Sequence, residues 1–361
     1  LLTGGYAAGG ELIDGVALKA GDKIPGHNID QVPVTERIYT WDGQRAPADT
    51  KIPTVELVGG KWVTNWIDIP ENARIGWAHT TPHNPPSGTA KDYSVVENTP
   101  SMLRPCFIEP YLTENVLIEG ITINNSPMWE IHPKLSTNIL VRDVTIESYG
   151  NNNDGVDPDS CKNVVIEDTI IDTGDDCIAI KSGKNEDGRR WDTYSENIII
   201  RRVNFREGHG GITIGSECAG AARYIFSTDN HYNSANLDQV IRFKTNSKRS
   251  DKAIEKMYHK DSTVNKVSGN IINAITNYSA GGIDQGDYGA FVPVIKDLYL
   301  YNFTTSGDTL VPGNSSPKLF TFNAYARAPI SGVYLKNCVF RGVSNSSIDN
   351  IKDLVLEDVI L

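Results

Sequence analysis

An all-β chain wound as a right-handed parallel β-helix is what the sequence predicts, on three observations. A short phrase recurs: "NVLIEGITI", "NILVRDVTI", "NVVIEDTII" and "NIIIRRVNF", followed later by "DLYLYNFTT", "GVYLKNCVF" and "DLVLEDVIL". The early phrases start at Asn115, Asn138, Asn163 and Asn197, spaced 23, 25 and 34 residues apart. A constant phrase at variable spacing is what loop insertions into a solenoid produce. Neither a long helical period nor an Asn-Gly hairpin turn separates the phrases, which disfavours β/α barrels, sandwiches and propellers.

Each phrase reads as two short strands with a bend between them, because polar and apolar residues alternate on either side of a charged or polar pair. One coil per phrase stacks its Ile, Val and Leu on those of the next. The recurring asparagine is placed to bond backbone groups at the bend, since its side chain mimics a turn. A single β-helix domain over residues 1–361 is expected. Residues 1–100, rich in Gly, Pro and Trp, are read as early coils and long loops; 104–246 as the coils carrying the chemistry; 247–361 as C-terminal coils. Within the last stretch, "FKTNSKRSDKAIEKMYHKDSTVN" (243–265) reads as a basic insertion, a long loop with some helix.

A net charge of −11 argues against general nucleic-acid binding, and no apolar run is long enough to span a membrane. It also sits awkwardly with a polyanionic substrate unless basic residues gather locally. The start "LLTGGYAAGG" has neither a basic region nor an apolar signal segment, so compartment is not read from it. Five scattered cysteines without a CxxC suggest neither a disulfide framework nor a zinc site; Cys161 and Cys177 read as small core residues. The seven histidines show no metal-ligand spacing, and neither metal nor other cofactor is expected.

The chemistry concentrates in four stretches on successive coils: "NNNDGVDPDS" (151–160), "DTGDDCIAIKSG" (172–183), "GHGGITIGSE" (208–217) and "IRFKTN" (241–246). Equivalent positions on neighbouring coils lie about 4.8 Å apart. Asp154, the Asp175/Asp176 doublet, His209 and the Arg242/Lys244 pair therefore meet in one patch. Arg242 and Lys244, two apart on a strand, point the same way. Adjacent carboxylates repel, which keeps one protonated near neutral pH. Gly174 is read as allowing a tight backbone before the doublet.

In this order the motifs NxDGxD, GDD, GHG and RxK resemble the polygalacturonases, the pectin-degrading family 28 of glycoside hydrolases. The resemblance covers roughly residues 104 to 246, and "NSPMWEIHP", "KSGKNEDGRRW" and "GSE" look more like its exo-acting and plant-like branch. It implies a pectin-lyase-like solenoid that hydrolyses α-1,4-linked galacturonate with inversion, from the chain end, in an extracellular or periplasmic setting. Its partner would be a pectic polysaccharide or oligogalacturonide, with no nucleic acid and no membrane; oligomeric state is not addressed.

Position by position, the resemblance makes Asp175 the general acid and has Asp154 and Asp176 position and deprotonate the water. His209 tunes the acid, and Arg242 and Lys244 grip the galacturonate carboxylate. Asn152 contacts sugar or orients Asp154, and Lys181 flanks the cleft on the substrate side. Inversion calls for acid and base carboxyls about 6.5–9.5 Å apart. Asp157 and Asp159 are assigned to turns and coil stacking, Trp129 and His132 to packing beneath the first catalytic coil. Arg189 and Arg190 are read as loop charges at least as readily as substrate contacts, and Glu217 is left open between cleft lining and a bland role. The alternatives are a hydrolase of decorated or alternating pectin (xylogalacturonan, rhamnogalacturonan) and a non-catalytic polysaccharide-binding β-helix. No signature of a Ca²⁺-dependent lyase is present.

Overall fold

In the computed structural model, Asn115, Asn138, Asn163 and Asn197 all take a left-handed backbone, with φ of 61°, 57°, 57° and 57°. Asparagine tolerates this conformation better than most residues, and it turns the chain into each first strand. The side chains bond one another rather than the backbone: Asn138 donates to Asn115 at 3.1 Å, Asn163 to Asn138 at 3.0 Å and Asn197 to Asn163 at 3.2 Å. The recurring asparagine is thus a ladder running from coil to coil.

The structure describes residues 105–278, 291–306 and 317–361, together with the backbone of short strands within residues 12–68. Two compact units are present, Leu1–Pro105 and Cys106–Leu361. In the first, Leu12–Ile13 pairs antiparallel with Val16–Ala17, and Lys51–Val58 with Lys61–Asp68. Beyond these pairs, the early coils and loops expected for residues 1–100 lie outside the described residues.

The second unit is a right-handed parallel β-helix, and its coils cross three ladders. The first runs through Glu114–Glu119, Thr137–Arg142, Lys162–Glu167, Ser195–Arg201 and Ala222–Thr228, and continues to Ile351–Ile360. The second takes up the other half of each phrase, such as Thr145–Ser148 and Ile170–Thr173. The third is six-stranded and begins Ile178–Ile180, Ile212–Gly215, Gln239–Lys244. All pairings among the described strands of this unit are parallel. Inside, Ile139, Val164, Ile198, Ile225, Met257, Leu298 and Val333 form one column, each stacked on its equivalent in the adjoining coil and each buried. Each contributes about 1.5–3 kcal/mol by leaving water.

The expected loop with some helix at 243–265 is corrected. Ala253–Lys266 is a 14-residue strand belonging to both the first and second ladders. Ile254, Met257, His259, Ser262 and Val264 face inward, while Glu255, Lys256 and Lys260 leave toward the outside. The outward charges mask a two-residue period. Among the described residues the one helix is Asn185–Trp191. Arg189 on it donates to the carbonyls of Lys248 (2.5 Å) and Arg249 (2.6 Å), while Arg190 pairs with Asp187 at 3.1 Å. Both arginines bind protein rather than standing free on a loop.

Candidate functional site

Successive coils bring the four motifs to one edge of the third ladder. Asp154 lies on the coil that bridges Val156 to Ile178, and Asp175 and Asp176 immediately precede Ile178–Ile180. His209 precedes Ile212–Gly215, whose Thr213 and Gly215 sit beside Arg242 and Lys244. Backbone bonds lock the loops together: Gly155 N–H donates to Asp176 O at 3.0 Å and His209 N–H to Asp175 O at 2.9 Å. Gly174 is required for a steric reason rather than for φ, because a side chain there would run into the backbone of Tyr149 and Gly150 on the preceding coil. Gly210 likewise leaves room for Thr213 Oγ1 and the Asp176 carboxylate.

These residues line a cleft of ≈ 260 Å³ that contains Asn152, Asp154, Asp175, Lys181, His209, Arg242 and Lys244. Trp129, Ser216, Glu217 and Tyr278 complete its wall. Asp176 lies behind this lining and is fully buried. Its Oδ1 accepts from Thr213 Oγ1 (2.9 Å) and Arg242 Nη1 (3.2 Å), and its Oδ2 from Lys244 Nζ. Asp175 Oδ1 faces His209 Nδ1 at 3.1 Å, and Asn152 Nδ2 donates to its Oδ2 at 3.4 Å. Asp154 Oδ2 accepts from Lys181 Nζ at 3.2 Å; its Oδ1 is buried with no hydrogen-bond partner.

Oxygens of Asp154, Asp175 and Asp176 lie within 4.8 Å of one another. Asp175 and Asp176 are consecutive residues of one coil, and Asp154 reaches them from the adjoining coil. An all-oxygen cluster of this kind can hold a cation, but here Lys181, Arg242 and Lys244 already occupy that electrostatic role.

The protonation pattern departs from the simplest assignment. Burial, aided by the charges of Asp157, Asp175 and Asp176 against that of Lys181, raises Asp154 well above the usual carboxylate range. Burial opposes ionisation of Asp175 too, yet the His209 hydrogen bond and the charges of Lys244, His209 and Lys181 outweigh it and hold the carboxyl low. The same hydrogen bond raises His209 above its ordinary value, against burial. The hydrogen bond thus favours a protonated His209 beside an ionised Asp175, while burial favours the neutral form of Asp154.

Lys181 is 2% exposed and lies 3.2 Å from Asp154, 3.5 Å from Asp157 and 3.6 Å from Glu217, with its ammonium 4.2 Å from the Trp129 ring centre. Its three N–H donors face three carboxylates. Asp157 is pushed up to about 7 by burial, against the Lys181 and His132 charges. Glu217 lines the cleft and is held at about 2, because Lys181, Arg249 and Lys184 overcome its burial. Asp159 does staple coils: its Oδ1 accepts from Gly183 N–H at 2.7 Å. Trp129 is both buried and a wall of the cleft.

Sequence reasoning missed Tyr278 and Arg249. The Tyr278 ring centre is 5.6 Å from Lys244 Nζ and 5.9 Å from Arg242 Cζ, and nothing around "NAITNYS" marks it. Arg249 is 6% exposed; it donates to Ser216 O at 2.5 Å and to Asn185 Oδ1, clamping the Ser216–Glu217 wall to the helix. Its signal was buried in a run of basic residues that reads as solvated.

The sequence profile of glycosyl hydrolases family 28 matches residues 88–307, more than half of the chain. The chain belongs to this family. A probable polygalacturonase of Vitis vinifera is 37% identical over 145 residues, which are 39% of this chain and 29% of that protein. Among solved structures, a hyperthermoactive exopolygalacturonase from Thermotoga maritima superposes with a TM-score of 0.61 at 32% identity, over 73% of this chain and 56% of that one. A family 28 exopolygalacturonase from Yersinia enterocolitica gives 0.63 at 20% identity, over 74% and 48%, a likeness of fold. The chain thus spans only part of the length of each of these relatives.

Proposed function

We propose that this family 28 chain hydrolyses α-1,4 bonds between galacturonate units, with inversion and from the chain end. The observation that carries the reading is the convergence of an Asp175–His209 pair, a second carboxyl with an uncommitted oxygen, and two cations on one cleft. Family membership supports hydrolysis of a glycoside, and the name of the Thermotoga relative supports exo action.

Arg242 has five N–H donors and Lys244 three, so each retains donors for a sugar carboxylate after binding Asp176. Arg offers a planar fork and Lys a point charge. Lys181, 2% exposed among Asp154, Asp157 and Glu217, serves as charge compensation for these carboxyls rather than as a substrate grip. When substrate fills the cleft and excludes water, a His⁺–carboxylate ion pair loses solvation and the neutral pair gains. The His209 proton then passes to Asp175, which delivers it to the glycosidic oxygen as the C1–O bond breaks. Water attacks C1 from the opposite face and gives its proton to Asp154, which enters the step ionised and leaves it protonated. A base with a raised pKa is matched to this task near neutral pH.

Retention would require a carboxylate nucleophile. Both oxygens of Asp176 are committed to Thr213, Arg242 and Lys244, and Asp154 is buried beside Lys181, so water is the better attacker. The test is product analysis on polygalacturonate with wild type beside Asp175→Asn. Monomer or dimer from the outset, without unsaturated product, and a rate at least about 10²-fold lower in the variant support the reading. Unsaturated product, or an undiminished variant, overturns it.

A further inference from the structure

We infer that Cys106, Glu109 and His132 form a second site, for a thiophilic divalent cation of the zinc type, separate from the carboxylate cleft. The three donors come from two adjoining coils: Ile108 bridges to Ile131, and Tyr111 to Lys134, which sets Cys106 and Glu109 over His132. Cys106 Sγ lies 3.5 Å from His132 Nδ1, and Glu109 Oε1 lies 3.3 Å from the same nitrogen. One atom from each of the three residues falls within 4.8 Å of the others.

The two edges that meet at His132 Nδ1 fit a tetrahedral ion. Bond lengths of about 2.3 Å to sulfur and about 2.0–2.1 Å to nitrogen and oxygen place the ligand atoms about 3.6 Å apart along the S···N edge and about 3.3 Å along the N···O edge. A fourth position remains for solvent, as in three-ligand zinc sites. The donor set of thiolate, imidazole and carboxylate suits Zn²⁺ or Co²⁺ and not Mg²⁺ or Ca²⁺, which take oxygen ligands.

Outer contacts support the same reading. His132 Nε2 is buried and 3.5 Å from Asp159 Oδ2, so a carboxylate stands behind the imidazole on the side away from the other donors. Metal-bound histidines characteristically have such a partner, which fixes the ring. Lys134 Nζ, 3.5 Å from the same oxygen, and the Gly183 N–H at Oδ1 hold Asp159 in turn. The Trp129 ring packs edge-on against the imidazole, 4.8 Å between centres. The site would tie two successive coils together at the start of the described β-helix, one coil before the Asp154 loop.

The competing account is a metal-free cluster in which a protonated His132 bridges Glu109 and Asp159. Titrating the metal-stripped chain with Co²⁺ alone distinguishes them, with absorbance read in the near-ultraviolet where thiolate-to-cobalt charge transfer appears. Expected is a band saturating at one Co²⁺ per chain, displaced by Zn²⁺ and lost in Cys106→Ser. Asp175→Asn should leave it intact, because the catalytic carboxylates contain no sulfur. Asp159→Asn should keep the band with metal affinity weakened about 10–100-fold. Circular dichroism of each variant guards against a fold defect. The proposal is overturned by wild type without a band, or by a band that survives in a folded Cys106→Ser.

Discussion

Replacing Lys181 by Met tests whether this buried cation holds the carboxylate cluster together. The substitution keeps an apolar stem against Trp129 and removes one charge. Three carboxyls lie within 3.2–3.6 Å of the ammonium, and at an effective dielectric near 20 the contact with each one that is ionised amounts to about 5 kcal/mol before desolvation. Proton uptake by the orphaned carboxyls offsets much of the loss, leaving a net cost of about 3–5 kcal/mol, as for other buried pairs broken on one side. The sign with pH follows from linkage. Asp154 and Asp157 already have folded values above 3.8, and losing Lys181 raises them further. A carboxyl raised on folding binds its proton more tightly in the native state, so stability is lost as pH climbs through the folded value. The deficit should therefore be largest at about pH 8 and clearly smaller at about pH 5. Urea unfolding of both proteins at these two pH values measures it. A deficit below about 1 kcal/mol, or one that does not change with pH, would refute the charge-compensation argument.

The pH profile of kcat/KM should be a bell whose acid limb lies above the ordinary carboxylate range, because Asp154 must be ionised. Its alkaline limb is set by the raised His209, and His209→Gln should move that limb toward acid, leaving Asp175 to hold its proton unaided; an unmoved limb rejects the proton-store role. Proton NMR of the first-formed product should show the anomer opposite to that of the bond cleaved, while the same anomer would make one of the crowded carboxylates a nucleophile. Asn163→Ala should destabilise by about 1–3 kcal/mol, since Ala at φ of 57° is strained and both ladder bonds go. Asn163→Gly should recover the backbone part, and equal losses in the two variants would put the whole effect in the ladder bonds.

Most of the coil architecture was legible because its phrase is written in apolar residues. Ala222–Thr228 and Ala253–Lys266 escaped because Arg223, Glu255, Lys256 and Lys260 interrupt the apolar rhythm on the outward face while Ile225 and Met257 continue the column within. Convergence of Asp154, Asp175, His209 and Arg242 could be anticipated from motif order, since a parallel coil turns sequence order into spatial order. What no motif conveys is commitment. Lys181 looked like a free cation flanking the cleft and is enclosed by carboxylates. Asp176 was read with Asp154 as a residue that positions and deprotonates the water, and it lies behind the cleft lining with both oxygens bonded to Thr213, Arg242 and Lys244. Cys106 and His132 are 26 residues apart, a separation that means nothing until the coil length is known.

The cleft is assembled across the coils, one or two groups from each, so separations between coils come in steps of the strand spacing. A helical or loop-borne site can be adjusted by small backbone shifts; here any such shift would break a ladder that extends well past the site. Fine tuning of reach is left to the length of the side chain at each step: Asp against Glu for the carboxyls, Lys against Arg for the cations. Lengthening Asp154 or Asp175 by one methylene would consequently change catalytic distance in a way no relaxation of the framework can absorb, whereas the loops between coils are free to vary in length and redraw the ends of the groove.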